Sequence, residues 1–321
     1  MLDFHFPPNL ENGFNNCEDA MISSVVYHES DRYECLHTLF WGMQYFPPTP
    51  QRPSINDRFY ISGLFRLRNS ILRDLFGLEF TRYKAIPRNE FLDNLRRRLF
   101  AEQKAVVLRM DTFDCPWNVG YRNYHRRHFV IVVDWTDQGE LTCHDPFCKV
   151  QRGSLSLDAL SGDRYDYYNY TVDPARSKHY TNPELMHAMA RAYREERYAD
   201  NIRLLAHELR TYELYEEVKE IPFDSICLAP FFIQFKGIVS SRLNLIDFAR
   251  ILPARMKDNI QPALEGLAES WNVAYCVLIK AMSRAGAPEY MEQVADLLLR
   301  MADEEDALAA RMLELQEDCN E

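Results

Sequence analysis

The sequence predicts an α+β protein: helices first, an antiparallel meander next, and a long helical block last. Three observations carry this. Near the N-terminus, Ala20, Met21, Ser24 and Val25 recur at helical spacing; Asn15 or Asn16 can cap the helix, and Glu18 and Asp19 fall in its first turn, where the helix dipole favours acids. Between Ala105 and about Leu157 the period becomes that of strands. The charge then steps: residues 1–180 hold 22 Lys+Arg against 23 Asp+Glu, and residues 181–321 hold 15 against 25. The composition step places a domain boundary, expected between 1–175 and 176–321. The second part is expected to pack its amphipathic helices on the first, because they need an apolar surface to cover.

In order, residues 1–16 read as a Pro/Asn-rich entry segment, and Cys17 to about His28 as a helix. Residues 31–46 read as a short helix and loop ended by Pro47-Pro48. Helices follow at about 70–77 and 88–102, the second after Pro87. Strands are expected at Ala105–Met110, at His128–Trp135 and, past the turn Asp137-Gln138-Gly139, at Leu141–His144, with Lys149–Leu157 able to supply another. The Tyr/Asp-rich stretch 163–173 reads as irregular. Asn182-Pro183 opens a helical region read as 183–217, 243–251, 254–284 and 288–317, with Gly286-Ala287-Pro288 between the last two.

Composition excludes several classes. With 47 % apolar residues, 11 Gly and 16 Pro in 321, the chain is neither disordered nor of low complexity. A net charge of -11 argues against nucleic acid as the main partner. No run of eighteen apolar residues calls for a membrane span. The start Met-Leu-Asp-Phe-His-Phe-Pro-Pro lacks the basic and apolar regions of a signal peptide, so a cytoplasmic protein with reduced thiols is expected. The eight cysteines form no Cys-x-x-Cys. Cys143-His144-x-x-x-Cys148 is half a zinc site, with Cys115 and His125 as possible recruits, but a second ligand pair at matching spacing is missing and no metal is expected.

The stronger chemical signal is a trio. Cys17 opens a helix, where unpaired N–H groups favour thiolate and can stabilise an oxyanion. His128 opens the strongest strand and Asp145 ends the next one. A cysteine nucleophile, a histidine base and a carboxylate that orients it can converge at such element ends. His125 is a rival base three residues earlier; the apolar strand starts directly after His128, which favours the latter. A buried small cysteine, a surface histidine and an ordinary Asp-Pro turn are the bland alternatives.

Asn16-Cys17-Glu18-Asp19-Ala20-Met21, the run Asp111 to Trp117, Tyr121, His125, His128-Phe129-Val130-Ile131-Val132-Val133 and Cys143-His144-Asp145-Pro146 together resemble the family named after the N-terminal domain of butirosin biosynthesis protein H. That family includes the closthioamide (polythioamide) synthetase and is more distantly similar to double-glycine leader peptidases. The resemblance covers roughly residues 1–175. It implies a papain-like core with an α-helical C-terminal region, and an amide-forming acyltransferase of thiotemplated, nonribosomal specialised-metabolite biosynthesis. Cys17 would be nucleophile, His128 base and Asp145 orienter. Where papain-like peptidases carry an oxyanion-hole Gln, this chain has Glu11; Asn12, Asn15, Asn16 or the Cys17 N–H are the substitutes. Asp111, Trp117 and Tyr121 are candidates to line the substrate channel, and Tyr165, Tyr167, Tyr168 and Tyr170 to wall a groove, although core packing is the commoner use of such tyrosines.

The implied donor is an acyl or peptidyl carrier protein presenting its thioester on phosphopantetheine, and the acceptor a small amine, with no cofactor of the enzyme's own. Arg96-Arg97-Arg98 and Arg122, Arg126 and Arg127 are basic patches suited to an acidic carrier. Two other readings stand beside this one: a papain-like thioesterase or peptidase, and a non-catalytic scaffold whose acidic helical half recruits partners.

Overall fold

The computed structural model describes residues 2–8, 13, 16–61, 64–136, 138–160, 163–221 and 223–317. In chain order the regular elements are helix α1 (Cys17–Glu29), strands β1 (Met43–Tyr45) and β2 (Phe59–Ile61), helix α2 (Leu64–Phe76), strand β3 (Leu78–Pro87) and helix α3 (Arg88–Arg96). Strands β4 (Val106–Asp111), β5 (Arg127–Trp135), β6 (Glu140–Asp145), β7 (Val150–Ser156) and β8 (Arg164–Val172) follow. Helices α4 (Asn182–Glu195), α5 (Tyr198–Leu209), α6 (Leu214–Val218), α7 (Pro230–Arg250), α8 (Ala254–Ser283) and α9 (Pro288–Glu317) complete the chain. The class is α+β with antiparallel sheets. No helix among the described residues is long and apolar enough to cross a membrane.

The chain divides into two compact units, one of Met1–Tyr33 with Arg68–His179 and one of Glu34–Leu67 with Tyr180–Glu321. This differs from a single cut at 175/176: residues 34–67 belong with the helices. The reason is a side-chain anchor that composition does not display. Buried Arg58 forks onto Glu208 of α5 and donates to the Tyr45 hydroxyl at 2.9 Å, and Phe59 packs on Phe231 of α7.

The sheet unit holds six antiparallel strands in the order β3-β8-β4-β5-β6-β7. Alternation sends Val130 and Val132 of β5, Leu141 and Cys143 of β6, and Tyr165 and Tyr167 of β8 into one core with Phe91 and Leu95 of α3. The stretch 163–173 is therefore mostly a strand, not irregular. Its tyrosines alternate with Asp166 and Tyr168, and Asp166 reads as a loop residue until its partners Arg82 and Arg109 on the neighbouring strands are seen. Edge strand β3 also lies outside the expected elements, because its charges and a bulge between Tyr83 and Ile86 hide the period. Helix α1 packs against β5.

In the helical unit, the region read as one helix over 183–217 is three. Arg197 takes a left-handed φ of 55° between α4 and α5, a break that neither Gly nor Pro announces. Helix α7 starts at Pro230, thirteen residues before the expected 243: it is apolar on nearly every side, so no amphipathic stripe marks it. Arg242 of α7 and Glu305 of α9, both fully buried, pair at 2.8 Å, and the Trp271 indole of α8 donates to the same carboxylate at 2.7 Å. These charges are tolerated in the core because each finds its partner there.

Candidate active site

The site is built where α1, β5 and β6 begin or end. Asn16 caps α1: its side-chain oxygen accepts from the N–H groups of Glu18 and Asp19, both at 2.9 Å, and its amide donates to the Asp19 carboxylate. Cys17 is the first residue of the helix, half-buried, with Sγ 3.9 Å from the Arg127 carbonyl oxygen on β5. The next residue of that strand is His128, on the same strand face as Val130 and Val132. Asp145 ends β6 on the same strand face as Leu141 and Cys143.

His128 and Asp145 form a buried pair. His128 is 2 % exposed and Asp145 is 0 %, with Nε2 and Oδ2 2.6 Å apart. The carboxylate is saturated. Oδ2 also accepts from the Trp117 indole N–H at 2.7 Å, and Oδ1 accepts from the Cys148 backbone N–H at 2.9 Å. Burial pushes the Asp145 carboxyl up, but the His128 hydrogen bond and charge outweigh it and hold the group below its ordinary value. Burial pushes the His128 imidazole down, yet the bond to Asp145, together with the Cys148 and Cys17 side chains, raises it well above the imidazole range. Both shifts favour the charged forms, an imidazolium facing a carboxylate, in a buried setting. Asp145 occupies Nε2, so Nδ1 is the ring nitrogen left for proton transfer.

Three thiols surround this imidazole, where the sequence pointed to one. Cys115, His128 and Asp145 place their ligating atoms within 4.8 Å of one another, but Cys115 is fully buried and burial pushes its thiol up to about 12. Cys148 Sγ stands 4.0 Å from Nε2, the nitrogen already bonded to Asp145, and burial raises its thiol too. Cys17 is the thiol that combines a helix N-terminus with partial solvent access and proximity to the ring.

Trp117, expected as a channel-lining candidate, donates its indole N–H to the Asp145 carboxylate. Its ring lies over Gly153 of β7, where an added Cβ would come within 2.4 Å of the indole. A glycine inside a strand is the sequence signal for such a close approach. Asp111 and His125 form a separate pair: His125 Nδ1 lies 3.1 Å from the Asp111 carboxylate, and Asp111 also accepts from the N–H groups of Phe113 and Arg126. Asp111 is thus a turn cap, and His125 is 72 % exposed. Tyr121 is exposed, with the Arg122 guanidinium over its ring. Tyr167 and Tyr170 are core residues rather than groove walls; Tyr165 is largely buried and lines a polar cleft, and Tyr168 packs on Phe129. Asn16, offered as an oxyanion donor, is spent on capping, while Glu11, Asn12 and Asn15 lie outside the described residues. The first-turn N–H that the Asn16 cap does not take is that of Cys17.

Of the sequence-suggested zinc ligands, Cys115 and Cys148 come together beside His128, but the others do not join them as a set. Cys143 and His144 are successive strand residues and point to opposite faces, Cys143 into the core and His144 against Phe4 and Phe6. His125 is held by Asp111. Around His128 and Asp145, the 2.6 Å separation is that of a hydrogen bond; two ligands each ~2.0–2.2 Å from one tetrahedral zinc stand farther apart. Of the first basic patch, Arg98 is buried on the Tyr170 carbonyl and pairs with Glu102, whereas Arg96 and Arg97 are exposed, beside Asp93 and Glu102. No protein-family model matches the chain, and no curated protein matches it.

Proposed function

We propose that this protein is a cysteine acyltransferase with a papain-like catalytic unit, forming amides from carrier-bound thioesters. The observation that carries the reading is the buried His128–Asp145 ion pair, its carboxylate locked by Trp117 and Cys148, set at the helix N-terminus that bears Cys17. Surface histidines do not need three hydrogen bonds on their partner; a proton-transfer group that must keep one orientation does.

The chemistry balances without a nucleotide, because the thioester already holds the activation. The Cys17 thiolate attacks the acyl carbon, and the Cys17 N–H at the head of α1 faces the developing oxyanion. The carbon–sulfur bond of the donor breaks, and the leaving thiolate takes the proton of the His128 imidazolium. An amine then attacks the acyl-Cys17 carbonyl, His128 accepts its proton, and the Cys17 thiolate leaves as the amide departs. Asp145 keeps Nε2 engaged throughout, so Nδ1 handles every proton. A hydrolase uses the same atoms with water in the amine's place, and a scaffold uses none of them.

Single-turnover decay of the acyl-enzyme separates these. We expect slow decay in buffer and rapid discharge by an amine from a panel of amino acids and diamines. Fast decay to free acid in buffer alone makes the protein a thioesterase or peptidase, and failure of any donor to acylate the chain leaves the scaffold reading.

A further inference from the structure

The sheet splits beside the site. The last ladder pair between β4 and β8 is Arg109 with Asp166; past it, β4 runs on to Asp111 along β5, while Arg164 and Tyr165 at the head of β8 run along β3. The parting strands leave a polar cleft of about 280 Å³, with Leu108, Met110 and Tyr165 among its lining and four arginines around it: Arg109, Arg126, Arg127 and Arg164.

The carboxylates of this cleft are already committed. Asp166 takes the guanidinium groups of both Arg82 and Arg109 and the Ala85 N–H, and these hold it down to about 2 against the upward push of burial. Asp111 takes two backbone N–H groups and His125, and Asp114 stands 3.5 Å from Arg122. Of the arginines, Arg109 is the one held by Asp166, and Arg126 and Arg127 lie over the Tyr124 and Phe129 rings. Arg164 donates to a neutral acceptor, the Ala85 carbonyl, and Arg127 stands 3.7 Å from Glu18. Four arginines thus line the cleft with three carboxylates, Asp111, Asp114 and Asp166, in a chain whose net charge is -11. Guanidinium forks converging on one small volume match the several oxygens of a phosphate better than one carboxylate. Arg127 is shared between the two places: it lines the cleft, and its carbonyl lies 3.9 Å from Cys17 Sγ.

We propose that the cleft between β4 and β8 is a phosphate-binding site held by Arg109, Arg126, Arg127 and Arg164, taking a phosphate group borne either on the arm that delivers the acyl thioester or on a free phosphorylated compound. The first of these sources rests on the acyl-transfer reading; the site itself does not.

Calorimetric titration of the full chain with inorganic pyrophosphate tests the site. Wild type binds one equivalent. Arg164→Ala, an exposed change, weakens binding about tenfold or more with an unaltered melting temperature, since a charge-assisted contact to phosphate is lost. Arg96→Ala removes the same charge on α3, where Arg96 pairs with Asp93, and leaves binding within about twofold. Absence of binding at millimolar pyrophosphate, or equal weakening by both variants, overturns the proposal. A second arm compares a pantetheine thioester with and without its terminal phosphate. If the donor owns the phosphate, its removal raises KM about tenfold in wild type and not in Arg164→Ala. Equal KM values with pyrophosphate binding intact assign the site to a free phosphorylated compound. No turnover of either thioester with that binding intact sinks the acyl-transfer reading and leaves the site standing.

Discussion

Two of the molecule's histidine–aspartate pairs have histidines only three residues apart, and their environments are opposite. His125 and Asp111 meet at 3.1 Å on the surface, the ring 72 % exposed and stacked on Phe113. His128 and Asp145 meet at 2.6 Å in the interior, at 2 % and 0 % exposure, with two further donors on the carboxylate. Water competes for the first pair and screens it, so it contributes little beyond the turn that Asp111 caps. Burial of the second, with three donors on its carboxylate, fixes the ring in one orientation, as the proposed proton transfer requires. Environment, and not residue identity, assigns the chemistry.

Replacing each histidine by alanine tests the contrast where it is widest. His128→Ala is expected to slow acyl transfer about 10³–10⁴-fold, and His125→Ala less than about twofold, measured as kcat/KM on one thioester. The reverse order moves the base to the surface pair and breaks the comparison. Next come the carboxylates: Asp145→Asn should cost about a hundredfold, since the imidazole keeps a neutral partner but loses its preferred state, while Asp111→Asn should stay within about threefold.

The two pairs should also separate in their effect on stability. His128 has a raised folded value, so its contribution is whole below the unfolded histidine value of about 6.5 and fades as pH rises through the folded one. Asp145 has a lowered folded value, so its contribution is whole above about 3.9 and is lost as pH falls through the folded one. The stability difference between wild type and Asp145→Asn, from urea melts across pH, should therefore peak between about pH 4 and 6.5 and shrink on either side. The same difference for Asp111→Asn should stay below about 1 kcal/mol throughout. The smallest effects belong to the support around the buried carboxylate. Trp117→Phe should cost about three- to tenfold in rate, and Gly153→Ala should mimic it by pushing the indole aside, at about 1–3 kcal/mol of stability. Normal rates in both variants would show that Asp145 needs no third donor.

Much of this was legible in the sequence. The Asn cap followed by Cys17, the apolar run behind His128 and the His-Asp-Pro at the end of β6 are local patterns, and local physics forms those elements as expected. What stayed hidden depends on partners distant in the chain. Strand β8 alternates tyrosines with polar residues whose charges are met on β3 and β4. Residues 34–67 join the helical unit through Arg58 and Glu208, 150 positions apart. Trp117 read as a channel-lining candidate or a packed tryptophan, and its bond to Asp145 needs the fold that brings β7 and its Gly153 beneath the ring. Cys115 and Cys148 read as reduced thiols or members of an incomplete zinc set, and only the folded sheet brings both to His128.

The central claim is that Cys17, among three thiols gathered around one imidazole, is the acylated residue and that His128 activates it. Peptide-mapped intact-protein mass spectrometry after brief exposure to an acyl thioester measures this directly, in wild type and in His128→Ala. The account predicts a single acyl adduct on Cys17 in wild type and its near-absence in His128→Ala. An adduct on Cys148 or Cys115, or equal labelling of Cys17 in both proteins, would contradict it.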